Sequence, residues 1–307
     1  MQHVDRRTFM KQTGGGIAAL SLAELVLAAP PRTDDPIKIA LIGAGRQGRT
    51  ILAELQKLEA ATVTIICDSD QRRLDAGIRR AAGATPVSDY RRILSDHPEI
   101  DAVVIATPTH LHRQIAIDCI EAGKHVYCEA PLASSIEDCR AIVEAARHAD
   151  TLFHAGLQAR SNPVYQLART FYLSDSVRDT VALRAQHHRK TSWRTPADTP
   201  ERDRALNWRL DPDVSLGLAG EWGTHQFDVF HWYLDRYPVS VRGGGGIYLH
   251  KDGRTVPDTI ACDLVFADGV TLQYAATLTN SYGGEYEVLF GTNAAIKLAW
   301  SHGWMFK

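Results

Sequence analysis

The sequence has little of what marks several classes of protein. Its 307 residues carry a formal net charge of −2, which gives no basis for expecting nucleic acid or an anionic membrane surface as partner. Its five cysteines are an odd number without paired spacing, which argues against a disulfide framework formed outside the cell. Beyond the N-terminal 30 residues, no run is apolar enough to cross a bilayer. No histidine, cysteine or carboxylate spacing suggests zinc, so we predict no metal site.

Residues 1–30 have the layout of an export signal. Arg6 and Arg7 open a positively charged region, and a stretch of mostly small and apolar residues follows over 14–29. A twin arginine in this position is typical of the route that exports proteins already folded. We therefore predict recognition by the twin-arginine export machinery and a periplasmic or otherwise exported location. The alternative is a disordered terminus that happens to carry two arginines.

Residues 36–158 alternate strand-like and helix-like segments. The apolar runs IKIALIG (37–43) and AVVIATP (102–108) have the continuous hydrophobic character of strands that are buried on both faces. Further strands are predicted at 63–68, 85–87, 125–131 and 152–158. Strands separated by helix-length segments indicate a parallel sheet with right-handed crossovers, so this half is predicted to be α/β.

A glycine motif, GAGRQG at 43–48, stands between the first strand and the first helix. Gly43 permits a tight turn, Gly45 lets the backbone approach a pyrophosphate, and Gly48 allows close packing of helix on strand. Asp68 ends the next strand about 20 residues further on, where an acidic side chain binds the adenosine ribose and repels a 2′-phosphate. The pattern therefore predicts NAD, and the nearby Arg72-Arg73 pair leaves NADP open. The alternative is a glycine-rich turn without a ligand.

Two later strand ends are expected to face the same crevice. They are TPTHLH (107–112) and CEAPLA (128–133). Thr107 and Pro108 can begin a helix there, and His112 is expected to project toward the nicotinamide. Each segment could equally be an ordinary strand-to-helix turn.

These motifs, together with AGKHVYCEAPL and EWGTHQFDVFHWYL, resemble those of the glucose–fructose oxidoreductase / inositol dehydrogenase (Gfo/Idh/MocA) family. The resemblance covers residues 36 to about 300. It implies a Rossmann domain over 36–158 and an α+β domain with an open, mostly antiparallel sheet over 159–307. It also implies that a nicotinamide and a sugar-like substrate meet between the two domains, and that subunits pair through the open sheet.

The resemblance carries the family's cofactor contacts onto named positions of this chain. Arg46 and Gln47 of the glycine motif belong to them, as do Glu129 and Ala130. The family's usual Glu-Lys-Pro reads Glu129-Ala130-Pro131 here. An alanine can neither transfer a proton nor steady a developing alkoxide, so the departure puts the usual lysine-assisted oxidation in doubt.

The second half of the chain changes pattern. A helix is predicted over 162–173 and another over 219–235, and strand-like runs with short turns recur between 181 and 300. The segment from 190 to about 215 reads as a long irregular stretch. On the second helix, Glu221, His225 and Asp228 are spaced i, i+4 and i+7 and are expected to share one face.

His225 is our first choice for proton transfer, with Glu221 as its acidic companion, because a histidine near a carboxylate can act as a base near neutral pH. The alternative is a polar helix face held by ion pairs. Aromatic and guanidinium groups near the cleft suit carbohydrate or carboxylate ligands. The predicted substrate contacts, several of them carried over from family positions, are Gln158, Arg160, Tyr165, Trp193, Arg209 and Asp228.

These observations predict an exported oxidoreductase that holds NAD tightly and acts on a sugar or sugar derivative. Free nicotinamide nucleotide is scarce outside the cytoplasm, so the cofactor would leave with the folded protein. Two alternatives stay open because of Ala130. One is a redox-neutral enzyme that oxidises a ring hydroxyl transiently to eliminate a glycosidic substituent, and the other is a sugar-binding relative without catalysis.

Overall fold

The computed structural model describes residues 35–307, so the predicted export signal lies outside the described residues. Within them the chain builds two sheets, one after the other along the sequence. No helix between residues 35 and 307 is long and apolar enough to span a membrane.

The first sheet is parallel throughout and has six strands in the order β3-β2-β1-β4-β5-β6. Its strands are β1 (Ile37–Ile42), β2 (Ala61–Cys67), β3 (Thr85–Val87), β4 (Ala102–Ile105), β5 (His125–Glu129) and β6 (Phe153–Gly156). The strand order reverses at β1, which lies between β2 and β4. A crevice therefore opens beyond the carboxyl ends of β1 and β4, the position at which doubly wound sheets bind ligands.

Helices cover both faces of this sheet. They are α1 (Arg46–Leu55), α2 (Gln71–Ile78), α3 (Tyr90–Asp96), α4 (His112–Glu121) and α5 (Ile136–Arg147). Along β1, Ile39 and Leu41 enter one buried cluster, while Ala40 and Ile42 enter another on the opposite face. Burial on both faces explains why the strand reads as a continuous apolar run rather than an alternating one.

The second sheet has seven strands in the order β13-β12-β11-β7-β10-β9-β8. Its strands are β7 (Thr180–His188), β8 (Ser240–Gly246), β9 (Thr259–Val265), β10 (Thr271–Thr277), β11 (Glu285–Gly291), β12 (Ala295–Ala299) and β13 (His302–Phe306). Only the β7–β10 pair is parallel, so the expected mostly antiparallel sheet is confirmed.

Four helices accompany the second sheet: α6 (Pro163–Leu173), α7 (Pro200–Leu206), α8 (Gly217–Glu221) and α9 (Gly223–Leu234). The apolar residues of α6, α8 and α9 share one core with the sheet, in which Phe230 of α9 and Tyr274 of β10 are almost completely buried. The α6 and α9 helices thus fix the position of the polar residues that they carry toward the first sheet.

Three features of this half differ from the sequence-based expectations. The stretch expected to be irregular contains α7, which the Thr199 side chain caps and which has proline at its first position. The single helix expected over 219–235 is two helices that are interrupted at Trp222. The strand β13 pairs with β12 at the sheet edge and was not expected. The domain boundary at 158/159 stays a prediction.

Candidate active site

The glycine loop after β1 is closed by contacts that exclude any side chain at two of its three positions. Gly43 has a φ of +99°, and a Cβ there would lie 2.6 Å from the carbonyl oxygen of Ala106. A Cβ on Gly48 would lie 1.8 Å from the carbonyl oxygen of Gly43. At Gly45 the nearest atom to such a Cβ is the Arg73 guanidinium at 3.8 Å, so Gly45 faces open space.

The helix α1 begins directly after that open position. Gly45 is its N-cap, and no side chain caps the first turn. The N–H groups of a helix's first turn have no partner within the helix and favour an anion such as a phosphate. Open backbone at Gly45 and uncapped donors at Arg46 and Gln47 together fit a pyrophosphate.

Asp68 forms the other end of the crevice, at the carboxyl end of β2. Its carboxylate accepts hydrogen bonds from the backbone N–H of Ala44 at 2.8 Å and of Asp70 at 2.9 Å. Burial raises the pKa of Asp68, and the two backbone hydrogen bonds oppose that shift. Two oxygens oriented in this way retain lone pairs for the hydroxyls of a ribose.

A cavity of about 820 Å³ extends along the crevice from Asp68 and Asp89 past Gly43 and Gly45 to Thr107. The Thr107 Oγ1 atom on its wall is buried and has no hydrogen-bond partner among the described residues. Buried polar atoms are normally satisfied, so this orphan atom indicates a missing ligand. The size of the cavity, its open glycine and its orphan hydroxyl fit a bound dinucleotide.

Glu129 and Ala130 lie at the carboxyl end of β5 as expected. The Glu129 carboxylate accepts hydrogen bonds from the Gln47 side chain at 3.0 Å and from the Ala130 N–H at 3.2 Å. Burial raises the pKa of Glu129, and these hydrogen bonds oppose the shift. Gln47 therefore ties the glycine loop to the β5 end.

His112 does not project into the crevice, which corrects the expectation for this residue. It is 1% exposed, and its two ring nitrogens lie 3.0 Å from the carbonyl oxygen of Pro131 and 2.9 Å from that of Thr107. The imidazole thus holds two loops of the crevice together from behind. The neighbouring His110 lines the cavity instead, packed edge-on against Trp208.

A second cavity of about 440 Å³ joins the glycine loop to the C-terminal domain. The predicted contacts Trp193 and Arg209 line it, and the Arg209 guanidinium lies over the rings of Trp208 at 4.3 Å and of Trp193 at 5.9 Å. Arg189 and Arg194 also line it, and Arg194 is paired with Asp252 at 2.9 Å.

Glu221 faces the cofactor loop rather than His225. Its side chain is 1% exposed, and both carboxylate oxygens lie 3.3 Å from the Thr109 hydroxyl, which donates to them. Arg209 approaches the same carboxylate at 3.5 Å. Burial raises the pKa of Glu221, and the positive charge of Arg209 opposes that shift. The helix is interrupted at Trp222, between Glu221 and His225, and the expectation that these two residues share one face stays a prediction.

The Nδ1 atom of the His225 side chain is buried and has no hydrogen-bond partner among the described residues. Burial lowers the pKa of His225, while the charge of Asp228 acts in the opposite direction. The His187 Nδ1 atom is also buried without a hydrogen bond, and the Glu285 carboxylate lies 3.8 Å from it. The His187 ring stacks on Trp222 at 4.0 Å, and burial, followed by the charge of His225, lowers the pKa of His187 to about 4. Both imidazoles are thus neutral near pH 7.

The remaining predicted substrate contacts fall into three situations. Arg160 donates three hydrogen bonds of 2.7, 2.9 and 3.2 Å to Asp228, so neither is a free ligand group. Gln158 is exposed near the start of α6. Tyr165 is 2% exposed and donates its hydroxyl to Glu287 inside the C-terminal core. Its expected place in the cleft is therefore wrong.

Comparison with known proteins assigns both halves of the chain. Residues 37–157 match the model of the Gfo/Idh/MocA oxidoreductase family with an NAD-binding Rossmann fold. Residues 179–297 match the model of a Gfo/Idh/MocA C-terminal domain. The chain belongs to the Gfo/Idh/MocA family. Its first domain is accordingly an NAD-binding Rossmann domain.

Three relatives illustrate the membership. Levoglucosan dehydrogenase from Pseudarthrobacter phenanthrenivorans is 26% identical over 259 residues, which cover 76% of this chain and 63% of that protein. Inositol 2-dehydrogenase 1 from Saccharopolyspora erythraea is 28% identical over 273 residues, covering 86% and 74%. The crystal structure of the WlbA dehydrogenase from Bordetella pertussis, in complex with NADH and UDP-GlcNAcA, aligns with a TM-score of 0.75 at 23% identity, covering 89% and 75%. That last similarity shows the fold.

The sequence-based prediction did not include three residues that the structure places at the site. His110 lines the crevice cavity, Thr109 donates its hydroxyl to Glu221, and His187 stacks on Trp222. His187 had a readable signal, because Leu183, Ala185 and His187 alternate along β7 and so share the face that packs on the helices. Among residues 35–307 no group of three or more histidine, cysteine or carboxylate residues could hold a metal ion.

Proposed function

We propose that this protein is an exported, NAD-dependent oxidoreductase that acts on a hydroxyl or carbonyl group of a sugar or sugar derivative. The observation that carries the proposal is a neutral, unpartnered imidazole, His225, in the domain that faces the dinucleotide crevice. The names of the levoglucosan and inositol dehydrogenase relatives support a polyhydroxylated substrate.

The chain's own residues divide the work as follows. His225 accepts the hydroxyl proton, since its lowered pKa keeps the imidazole near pH 7 in the neutral form that can act as a base. The Arg160–Asp228 pair fixes the face of α9 from which His225 projects. The bound nicotinamide supplies the hydride acceptor or donor. Ala130 gives no proton at the position of the family lysine, so proton transfer depends on the histidine.

Export with a bound cofactor follows from the same proposal. The twin arginine at Arg6 and Arg7 supports passage of an already folded protein, and a folded Rossmann domain can take its dinucleotide with it. We accordingly propose a periplasmic or exported location and a cofactor that is regenerated in place.

We also propose that copies of the chain associate through the second sheet. Apolar side chains on its strands remain exposed, among them Val181, Val241 and Phe306. Exposed apolar patches of this kind mark association surfaces. Size-exclusion chromatography with light scattering tests this point, and a monomer at every concentration would refute it.

The test of the proposed function is a single-turnover assay. Protein loaded with NAD is mixed with a panel of sugars that includes levoglucosan and myo-inositol, and nicotinamide reduction is followed by absorbance. His225→Asn is expected to lose turnover while still binding NADH. His231→Asn, on the same helix but stacked on Tyr237, is the matched control. Full turnover by His225→Asn would refute the assignment of the base.

One alternative is a redox-neutral elimination, which the alanine at position 130 favours over the lysine-assisted oxidation. The same loaded protein is therefore also given aryl glycosides. Release of the aglycone without net reduction of the nicotinamide would replace net oxidoreduction by the redox-neutral reaction.

A further inference from the structure

Four charged side chains form a chain of ion pairs between the two domains, at the adenosine end of the crevice. Arg202 Nε lies 2.5 Å from Asp70 Oδ2, and another nitrogen of Arg202 lies 3.3 Å from Asp198. Arg72 in turn lies 2.6 Å from Asp198. We call Asp70, Arg202, Asp198 and Arg72 the interdomain quartet. Its order alternates in sign, so every charge in it has an opposite neighbour.

The quartet fastens α7 to the start of α2. Asp70, two residues after Asp68, caps α2: its side chain accepts a hydrogen bond from the backbone N–H of Arg73. Burial alone would raise the pKa of Asp70, yet hydrogen bonds from Arg202 and from the Arg73 N–H outweigh it and lower that pKa. The interaction therefore stabilises the ionised form of a residue on the cavity wall.

The fastened segment forms one wall of the dinucleotide cavity. Glu201, Arg204 and Leu206 of α7, together with Trp208 just beyond it, line the cavity opposite Gly43 and Asp68. None of these residues belongs to the Rossmann domain. A dinucleotide in this cavity is thus covered by a segment that the quartet attaches to the Rossmann domain.

The quartet also determines which charges are available beside Asp68. A 2′-phosphate on the adenosine ribose would lie near Asp68 and Asp70, where it meets negative charge. Arg72 and Arg202, which could compensate it, are already bound to Asp198 and Asp70. The quartet is neutral as a whole, and Arg73, which also lines the cavity, opposes the negative charge of Asp68. The charge that a 2′-phosphate meets therefore depends on whether Arg72 and Arg202 stay bound to their carboxylate partners.

We propose that Asp198 and Arg202 of the C-terminal domain determine both the preference for NADH over NADPH and the slow release of the dinucleotide. They act as positioning residues, since neither lines the cavity. Asp198 withholds Arg72 from a 2′-phosphate, and Arg202 holds α7 over the crevice.

The proposal predicts preference shifts of opposite sign in two isosteric or near-isosteric variants. Asp198→Asn removes a negative charge and frees Arg72, so the ratio of NADPH to NADH affinity should rise about two- to fivefold, the range of exposed ion pairs. Arg202→Gln leaves Asp70 unpaired, so the same ratio should fall by about the same factor. Both variants should release NADH faster, Arg202→Gln by the larger factor.

The measurement uses the full chain and the nicotinamide fluorescence of NADH and NADPH. Equilibrium titration gives the two affinities, and displacement by excess NAD gives the release rate. Arg92→Gln is the matched control, because Arg92 forms an exposed ion pair with Asp96 within the single helix α3 and does not line the cavity. It should match the wild type in both quantities.

Unchanged ratios, or ratios that move in the same direction in both variants, would overturn the selectivity role. An unchanged NADH release rate in Arg202→Gln would overturn the retention role. Neither result depends on finding the sugar, so the inference can fail while the proposed oxidoreductase activity stands. Conversely, failure of every sugar in the turnover assay leaves these dinucleotide measurements unaffected.

Discussion

Alanine substitutions at two glycines of one loop, Gly45 and Gly48, are expected to affect cofactor binding and folding separately. In Gly48→Ala the added methyl would lie 1.8 Å from the Gly43 carbonyl oxygen, well inside the 3.0 Å below which real Cβ atoms essentially never approach. The clash is with backbone, so the strand and the helix must move apart. In Gly45→Ala the methyl meets nothing closer than the Arg73 guanidinium at 3.8 Å.

The expected magnitudes differ accordingly. Overpacking against backbone should cost Gly48→Ala about 3 kcal/mol of unfolding free energy or more, and lower its Tm by roughly 6 °C or more. Gly45→Ala should stay within about 1 kcal/mol of the wild type, since its φ of −62° suits alanine and the lost N-cap preference is small. Its methyl, however, occupies the space that a pyrophosphate needs, so NADH should bind at least about tenfold more weakly.

Thermal unfolding by circular dichroism and NADH titration by fluorescence measure the two effects on the same samples. We expect Gly45→Ala to be as stable as the wild type but to bind NADH weakly, whereas Gly48→Ala should be unstable. A Gly45→Ala protein with wild-type NADH affinity would refute the placement of the pyrophosphate at this loop.

Three further predictions concern the C-terminal domain. The pH–rate profile of turnover should fall on its acid side with an apparent pKa below 6.5, because burial lowers the pKa of His225, and a limb above 6.5 would contradict this. Burial raises the pKa of Glu287 to about 8. The stability that the protonated Glu287 contributes is therefore complete below its unfolded pKa of about 4.3 and is lost as pH rises toward 8. In chemical denaturation, the unfolding free energy of Glu287→Gln should decline less steeply over this pH range than that of the wild type. Arg160→Gln should lower the unfolding free energy by about 1–2 kcal/mol in the same assay, because the Asp228 carboxylate, only 10% exposed, loses its partner. Asp228→Asn should lower it less, because the Arg160 guanidinium that loses its partner is 40% exposed. Equal losses in the two variants would contradict this argument from burial.

The Rossmann half could be predicted because its signals are local. A buried parallel strand is a continuous apolar run, Gly43 is required locally by its φ of +99°, and Gly48 is required by the carbonyl oxygen of Gly43 five residues earlier. The same holds for Asp68, whose place follows from the end of β2. These features need no knowledge of distant parts of the chain.

The missed and misplaced residues depend on contacts between distant segments. Tyr165 is drawn into the core by Glu287, 122 positions away, and His112 is held behind the crevice by the carbonyl of Pro131. Glu221 accepts a hydrogen bond from Thr109, 112 positions away, and the Trp222 ring between α8 and α9 stacks on His187 of β7. The periodicity of apolar and polar residues along the sequence does not predict these tertiary contacts.

The most direct test of the account is to ask what small molecule the purified protein carries. Acid-denatured protein, dialysed extensively beforehand, is analysed by mass spectrometry for released nicotinamide dinucleotide. We expect the wild-type protein to release NAD or NADH in an amount nearly equimolar with the protein, and Gly45→Ala to release little. Folded wild-type protein that releases no dinucleotide and does not bind added NADH would contradict it.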